Sequence, residues 1–445
     1  MELAELKTVM QKNGIVGAGG AGFPSYAKLD SNADTVILNC CECEPLLKLH
    51  TQVLQKYAYE VLSALNEIVN SVGAKAIVAI KSSYKTVIEA VNAQVSAFKN
   101  ISVYTVPDIY PAGDEIVLIK EVTGRVVKAG NLPISVGVTV FNVETVFNVY
   151  KALNEQTPCI EKYVTVTGAV KNPLTVIAPI GTSFEQLINL AGGETVADTA
   201  IIKGGPMTGR LSNKYDVVTK TTNAIIVLPE THRVVAQRRA SVSSKLNQTM
   251  SVCCQCRMCT DLCPRHLLGH TIEPHRLMRA VATHNTSDIE AFVNTKYCSQ
   301  CGLCEMYSCP QGLSPRTLIG EFRSRLTKAG ADLNKSPCTE GQISEDRKYR
   351  LVSSKRLKSR LGLSKYDSAA LLTTQEISPK KVKIPLSQHI GVPAVCCVCT
   401  GQKVSKGDVI AEAAEGKLSV CIHASISGEI GEVNDKYIII NRLSE

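Results

Sequence analysis

The sequence predicts an α/β multidomain protein, and three observations carry that expectation. In the first third, short β-branched runs alternate with helical stretches. In the middle, two matching cysteine runs follow one another. From about residue 381, short strands and turns replace the helical pattern. A chain of 445 residues with 44% apolar content can bury several cores, which excludes disorder over its whole length. No apolar run approaches the roughly 18 residues that cross a bilayer, and MELAELKTVMQKNG is too polar for a secretory signal. The chain is therefore expected not to span a membrane and to be cytoplasmic. Its 18 cysteines should then stay reduced, which favours metal ligation over disulfides.

The first domain is expected over 1–155. It opens with the helical segment ELKTVMQKN, amphipathic enough to serve either as a first core helix or as an encapsulation helix. Strands follow at 35–40 (TVILNC), 74–81 (AKAIVAIK) and 101–106 (ISVYTV), with helices around 50–72 and 84–98 between them. That alternation builds a mainly parallel sheet, whose ligands bind beyond the carboxyl ends of the strands. Residues 39–45 (NCCECEP), Gly113-Asp114-Glu115 and Asn142–Thr145 all fall at such ends. Ahead of them, Gly17-Ala18-Gly19-Gly20-Ala21-Gly22-Phe23-Pro24 contains G-x-G-x-x-G, but it follows a helix where the dinucleotide fingerprint needs a strand. What survives is a loop free of side chains, able to approach a phosphate or a flat ring, with Lys28 beside it. Cys40, Cys41 and Cys43 read as small packing residues beneath the sheet.

The expected cysteine-rich domain covers 245–330. Cys253-x2-Cys256-x2-Cys259-x3-Cys263-Pro264 is the bacterial ferredoxin run without a mismatch. Cys298-x2-Cys301-x2-Cys304-x4-Cys309-Pro310 repeats it with one extra residue. Two-residue gaps let three thiolates converge on three corners of one cubane, while the fourth points away to the other. One [4Fe–4S] cluster is thus expected on Cys253, Cys256, Cys259 and Cys309, and a second on Cys298, Cys301, Cys304 and Cys263. Zinc is the alternative, but eight thiolates in two such runs exceed its needs.

Residues 160–235 carry two strands (164–173), then a helix capped by Thr182 or Ser183 and closed by Gly192-Gly193, with further strands at 201–210 and 224–229. The segment 335–380 reads as a basic, Ser-rich, solvated linker with a helical piece ending near Gly362; its charges (Arg347, Lys348, Lys355, Lys358 among them) otherwise suit an anionic surface. Residues 381–445 form the strand-and-turn module, within which Cys396, Cys397 and Cys399 read as packing residues. Cys159, Cys338 and Cys421 stand alone.

Gly17–Lys28, Asn39–Pro45, Gly113–Glu115 and Asn142–Thr145 together resemble the FMN- and NADH-binding segments of the flavoprotein subunit of respiratory complex I. They resemble still more the C subunit of the Rnf electron-transport complex. The resemblance implies a Rossmann-like FMN/NADH domain in which Gly17, Gly19, Gly20, Gly22, Phe23 and Lys28 cradle FMN. Asn39, Glu42, Glu115, Asn142 and Thr145 complete the flavin and nicotinamide pocket, with Glu42 and Glu115 as catalytic candidates. Cys41 departs from the acidic residue usual in complex I, and Ala18 from its arginine. Residues 160–235 resemble the SLBB β-grasp module of the same flavoproteins, and 381–445 a barrel-sandwich hybrid. Gly416-Lys417-Leu418 only echoes the carrier-lysine motif, so no covalent group is expected there. The Rnf protein has its barrel at the N-terminus. A C-terminal barrel and the x4 spacing before Cys309 are instead similar to the cobalamin reductases of propanediol-utilising microcompartments.

These resemblances imply an NADH-dependent oxidoreductase holding FMN and two [4Fe–4S] clusters and reducing an acceptor, cob(II)alamin, with a corrinoid or corrinoid-handling protein as partner. Shell proteins would join them if the chain is enclosed in a microcompartment. The runner-up is an Rnf-type subunit between NADH and ferredoxin. An iron–sulfur redox sensor without turnover is the alternative of another class, and it would need no NADH pocket. His266, His270, His275 and His284 are read as ordinary helical residues, an axial cobalt ligand being the alternative. The formal charge of +9 changes meaning with the cofactors. Two cubanes with their thiolates contribute about −4 and an FMN phosphate about −2, so no nucleic-acid partner is needed to explain the basic surplus.

Overall fold

The structure, a computed structural model, describes residues 1–331 and 342–443; Cys338 and the opening residues of the expected 335–380 linker lie outside them. Helix α1 (Leu3–Lys12) points Leu6 and Met10, at i and i+4, into the first core, so its apolar stripe is used inside the domain. Strands β1 (Thr35–Cys40), β2 (Lys75–Lys81) and β3 (Ile101–Val106) then alternate with α2 (Leu49–Lys56), α3 (Ala58–Val72) and α4 (Lys85–Val95). The single helix expected around 50–72 is two. Tyr57 breaks it at φ −121°, ψ 41°, with its ring stacked 4.5 Å from Phe147. A two-residue strand β4 (Ile109–Tyr110), α5 (Glu115–Thr123), β5 (Val138–Asn142) and α6 (Val143–Asn154) complete the domain.

The main sheet is wholly parallel in the order β3-β2-β1-β5. The inner strands β1 and β2 are almost wholly buried, whereas the edge strand β3 exposes Ser102 and Tyr104. From β1 the chain builds outward to β3 and then returns to the other side of β1 with β5. The switch point falls at the carboxyl ends of those two strands, where Asn39 pairs with Asn142.

The β-grasp segment contributes β6 (Glu161–Gly168), β7 (Leu174–Pro179), α7 (Phe184–Leu190), β8 (Thr199–Lys203), β9 (Arg210–Ser212) and β10 (Ala224–Pro229). They form a five-stranded sheet ordered β7-β6-β10-β8-β9. Of the two candidate caps of α7, Ser183 takes the role, accepting from Gln186 N–H at 3.3 Å. Thr182 turns back to the Pro179 carbonyl. Helices α8 (Arg233–Arg239) and α9 (Val242–Val252) lead into the cysteine runs. Short helices α10 (Met258–Asp261), α11 (Pro264–Leu267), α12 (Pro274–Ala282) and α13 (Ile289–Val293) surround those runs, and α14 (Pro315–Lys328) closes them.

The expectation of a solvated linker is corrected over its described part. Strand β11 (Val352–Ser353) pairs antiparallel with β4, and α15 (Ser354–Arg360) follows it. Val352, Leu357, Leu361 and Leu363 are buried in one core with Leu46, Met207 and Leu303. The segment therefore fills the joint between three domains, and its basic residues ride on that anchorage. The C-terminal module folds as two sheets: β12 (Lys381–Pro385), β14 (Lys403–Val404), β17 (Gly428–Val433) and β18 (Tyr437–Asn441) in one, β13 (Val395–Cys396), β15 (Val409–Glu412) and β16 (Ile422–His423) in the other. Here Cys396 packs on the barrel core, whereas Cys397 and Cys399 are exposed, so packing does not account for those two. Among the described residues, no helix is long and apolar enough to cross a membrane.

Candidate active site

A pocket of about 510 Å³ opens at the switch point. Gly17, Gly19, Gly20, Gly22, Phe23, Lys28, Asn39, Glu115, Asn142 and Thr145 all line it, so ten of the eleven residues expected around the flavin meet in one place. The glycine loop enters from α1 and is pinned at its base, where the Ala18 N–H donates to Thr145 Oγ1 at 3.0 Å. A Cβ on Gly19 would lie 2.6 Å from Asn142 Nδ2, so any side chain there would push the Asn142 amide aside. Gly22 has φ +77° and its carbonyl accepts from Ile390 N–H, so the barrel's 388–390 loop braces the glycine loop from behind. Asn142 caps α6 through the Glu144 N–H (2.9 Å), and Asn39 donates to the Gly113 carbonyl (3.0 Å), tying β1 to the start of α5. Lys28 Nζ lies 2.5 Å from Glu115 and 3.1 Å from the Val140 carbonyl. The buried Ser25 Oγ, which also borders the pocket, has no hydrogen-bond partner. A side-chain-free loop, an orphaned hydroxyl and a lysine suit a bound flavin phosphate and ring.

Glu42 is the exception, and its expected catalytic place is corrected. Beyond β1 the chain turns so that its carboxylate accepts from the Leu49 N–H (3.2 Å) at the start of α2 and lies 3.5 Å from His50 Nδ1. His50 Nε2 in turn faces Asn142 Nδ2 at 3.1 Å. Glu42 thus reaches the pocket only through His50 and Asn142. Burial pushes the Glu42 carboxyl up to about 7 and the His50 imidazole down to about 3. Both directions favour neutral partners, so this contact is a hydrogen-bonding arrangement and not an ion pair.

The eight cysteines expected to hold clusters sort into two neighbourhoods. Cys253, Cys256, Cys259 and Cys309 line one cavity, together with Cys254 and His275. Burial pushes the Cys259 thiol up to about 12, with repulsion from Cys309, Cys256 and Cys253 adding to it. In the second group, burial raises Cys304 well above the ordinary thiol value, with repulsion from Cys298, Cys301 and Cys263 adding to it, and from Cys259 of the first group as well. The backbone of the two runs matches as well: Gln255 and Arg257 have positive φ, as do Gln300 and Gly302, flanking the middle cysteine of each run. The Gln300 N–H points at Cys298 Sγ (3.4 Å) and the Leu313 N–H at Cys309 Sγ (3.3 Å). Crowded thiols with N–H donors aimed at sulfur fit two cationic iron–sulfur cores. Among the described residues, no three metal-ligating side chains close on a single-ion site.

Sequence reasoning missed how pocket and thiols are joined. Arg265 and Ser299 form part of the pocket wall, and they neighbour Cys263-Pro264 and Cys298 in the chain. Arg265 Nη2 holds Asp114, the cap of α5, at 2.8 Å. Tyr110 Oη donates to the Cys301 carbonyl at 2.5 Å. The only signal for this in the sequence is an arginine directly after Cys-Pro. Cys254 and Cys256 are exposed. His270 Nε2 lies 3.0 Å from the Val127 carbonyl, to which it donates, and His275 Nδ1 meets Thr260 Oγ1 at 2.8 Å, both as ordinary structural contacts.

Residues 10–151 match the family model of the Nuo51 FMN-binding domain, and 163–211 that of the SLBB domain. Residues 252–314 match the 4Fe-4S dicluster domain, and 361–442 the RnfC barrel sandwich hybrid domain. The cobalamin reductase PduS of Salmonella typhimurium is 40% identical over 444 residues, covering 98% of this chain and 96% of that protein. That of Citrobacter freundii is 40% identical over 435 residues, covering 96% and 94%. The chain belongs to the PduS cobalamin reductase family. One component of the Na(+)-translocating ferredoxin:NAD(+) oxidoreductase complex of Acetobacterium woodii is 34% identical over 274 residues, 60% of this chain and 59% of that protein. An NAD+-reducing [NiFe]-hydrogenase, solved in its H2-reduced state, aligns with TM-score 0.49 and 18% identity over 75% of this chain and 63% of that one. The chain is thus a flavo-iron–sulfur oxidoreductase built from an FMN-binding domain, an SLBB module, a 4Fe–4S dicluster domain and a barrel-sandwich hybrid.

Proposed function

We propose that this chain takes hydride from NADH and delivers single electrons to a corrinoid, reducing cob(II)alamin to cob(I)alamin. The reading rests on one observation above all: the pocket fitted to a flavin shares its wall, at Arg265 and Ser299, with the neighbourhood of Cys263 and Cys298. FMN and two [4Fe–4S] clusters, when bound, convert between a two-electron hydride donor and one-electron carriers. The chain's own residues supply the rest. The glycine loop brings backbone N–H groups to the ligand without side chains in the way, and Asn142 is held for it by the α6 cap and by His50. Lys28 offers positive charge to a phosphate, at the cost of loosening its contact with Glu115. Asp114 and Arg265 fix the first domain against the thiol-bearing one. Cys256 is exposed, and the group it belongs to is the one from which electrons would leave toward the acceptor.

The test is anaerobic. Protein reconstituted with FMN, iron and sulfide should lose flavin absorbance when NADH is added and then convert cob(II)alamin to cob(I)alamin. No bleaching with NADH or NADPH removes the reading. The match to the Acetobacterium woodii protein favours a second acceptor, ferredoxin; reduction of ferredoxin without reduction of the corrinoid would establish it. A redox sensor without turnover has no use for a nucleotide pocket of this size. A cytoplasmic location, with enclosure in a microcompartment shell, belongs to the same reading, and co-purification of the tagged chain with shell proteins tests it.

A further inference from the structure

The two cysteine runs match in backbone but not in what stands behind them. In each, the second residue after the first cysteine is a glutamine at positive φ, Gln255 (57°) and Gln300 (59°). Both turn the side-chain amide back on that cysteine. Gln255 Nε2 lies 3.6 Å from Cys253 Sγ, and Gln300 Nε2 lies 3.4 Å from Cys298 Sγ. The Gln300 N–H adds a second donor to the same sulfur, also at 3.4 Å. Beyond the amide the runs part. Gln255 is exposed, whereas Gln300 Oε1 accepts from Arg316 Nε at 3.4 Å.

Helix α14 builds that contact. Arg316, Gly320 and Arg323, at i, i+4 and i+7, share the face turned to the second run. Gly320 leaves room for the amide, since a Cβ there would come within 3.4 Å of Gln300 Oε1. Arg316 Nη1 is fixed on the Met207 carbonyl (2.7 Å), and Arg323 Nη1 donates to the carbonyl of Cys298 itself (3.2 Å). Neighbouring cations take the nearby carboxylates, Lys245 with Glu305 and Arg325 with Glu321. Both α14 arginines are thereby left without a carboxylate partner among the described residues. Both are half-buried, so solvent screens them only in part. Burial pushes the Cys298 thiol up, and the Gln300 N–H, then the charges of Arg323, Arg316 and Arg265, pull the other way. The first group is placed differently. Arg257 is answered by Asp261 (3.3 Å) and Glu273 (4.0 Å), and Arg233, which feels Cys309, donates to the Arg360 carbonyl.

We infer that Arg316, acting through Gln300, and Arg323 are positioning residues that raise the reduction potential of the cluster assigned to Cys298, Cys301, Cys304 and Cys263, and not that of the other cluster. A [4Fe–4S] core with its four thiolates carries about −2 and takes one electron to about −3. Burial alone opposes that added charge, and a guanidinium with N–H donors aimed at sulfur favours it. Ser299, next to Cys298, lies in the flavin-pocket wall, so the cluster kept easy to reduce is the one beside the flavin. The inference rests on the two clusters and their ligands and is independent of NADH and of the acceptor.

The experiment is an anaerobic titration of the FMN- and cluster-loaded protein with dithionite and redox mediators, which supply one electron per cluster, followed by the EPR signals of the reduced clusters. Arg316→Met, Arg323→Gln and Gln300→Leu should each move one midpoint, the same one, to more negative potential. Arg316→Lys, which keeps the charge, should move it less. Arg316→Met/Gln300→Leu should move it by less than the sum of the two singles, because one acts through the other. Gln255→Leu should move only the other midpoint, and by a smaller amount. Cys256→Ala, which removes the first cluster, should leave the transition that Arg316→Met shifts. Iron and sulfide of about eight each per chain show that a variant keeps both clusters. Should Arg316→Met lose iron, Arg323→Gln and Gln300→Leu decide in its place. Midpoints unchanged in the variants, both moving equally, or a shift confined to the cluster lost in Cys256→Ala overturns the inference.

Discussion

Replacing Arg265 by Met should uncouple the flavin pocket from the domain that carries the thiols. Arg265 and Asp114 are 17% and 10% exposed, and one guanidinium nitrogen lies 2.8 and 2.9 Å from the two carboxylate oxygens. Hydrogen bonds to charged groups contribute about 1.5–3 kcal/mol, and removing one partner also leaves the other charge unpaired. Arg265→Met should therefore cost about 2–3 kcal/mol. Asp114→Asn retains the oxygen that accepts from Ile116 and Val117 at the start of α5, so its cost arises mainly from the lost pair. In the double variant no buried charge is stranded, and its cost should fall short of the sum of the two singles by about 1.5 kcal/mol or more. The assay is urea unfolding of the loaded protein, followed by the fluorescence of released FMN. A second readout, the delay between flavin bleaching and loss of cluster absorbance after NADH is mixed in, should lengthen in Arg265→Met. Single costs that add within about 0.5 kcal/mol would refute the coupling.

Further outcomes follow from the same geometry. Gly19→Ala should displace Asn142 and lower FMN affinity roughly tenfold, about 1.4 kcal/mol, measured by fluorescence titration; in an Asn142→Gly background, itself weaker for FMN, the added alanine should cost little more. Glu42, raised from an ordinary 4.5 to about 7 by burial, binds its proton more tightly in the folded chain. It therefore contributes stability below its unfolded value, lost as pH rises through about 7, an effect of about 3 kcal/mol. Glu42→Gln should flatten the fall in urea midpoint between about pH 5 and about pH 8. Anaerobically purified protein should contain about eight iron and about eight sulfide per chain, and Cys256→Ala should lose about half of each. Zinc without sulfide in the wild type would overturn the assignment. Lys28→Met should weaken FMN loading while leaving iron and sulfide unchanged, as judged by cofactor content after gel filtration.

Chemistry that depends on local spacing was readable in the sequence. The glycine loop and the two cysteine runs need only a few neighbouring residues to declare themselves, and Cys253, Cys256, Cys259 and Cys309 border one cavity. What could not be read depends on residues far apart in the chain. Arg265 reaches Asp114 across 151 positions, and nothing near either residue announces the contact. Glu42 sits among pocket residues in sequence, but the start of α2 supplies an N–H that draws its carboxylate the other way. The basic segment read as solvent-exposed because lysine and arginine dominate it. Four well-placed apolar residues, Val352, Leu357, Leu361 and Leu363, were enough to anchor it. The break at Tyr57 escaped because the helical pattern continues through it, while the ring that stacks on Tyr57, Phe147, comes from α6, far along the chain.

The contact between the last module and the first loop has a consequence for how such chains can be assembled. Gly22 rests on residues 388–390, while Lys220 Nζ donates to the carbonyls of Gly14 (2.6 Å) and Cys421 (3.0 Å), drawing three segments to one point. What the glycine loop requires is the barrel's surface, and that surface is the same whichever end of the chain the barrel is spliced to. The joint is made by surfaces and not by chain connectivity, so a permuted chain with the barrel moved to the N-terminus should rebuild it. A module with no visible chemistry of its own thus forms the wall against which the glycine loop is set.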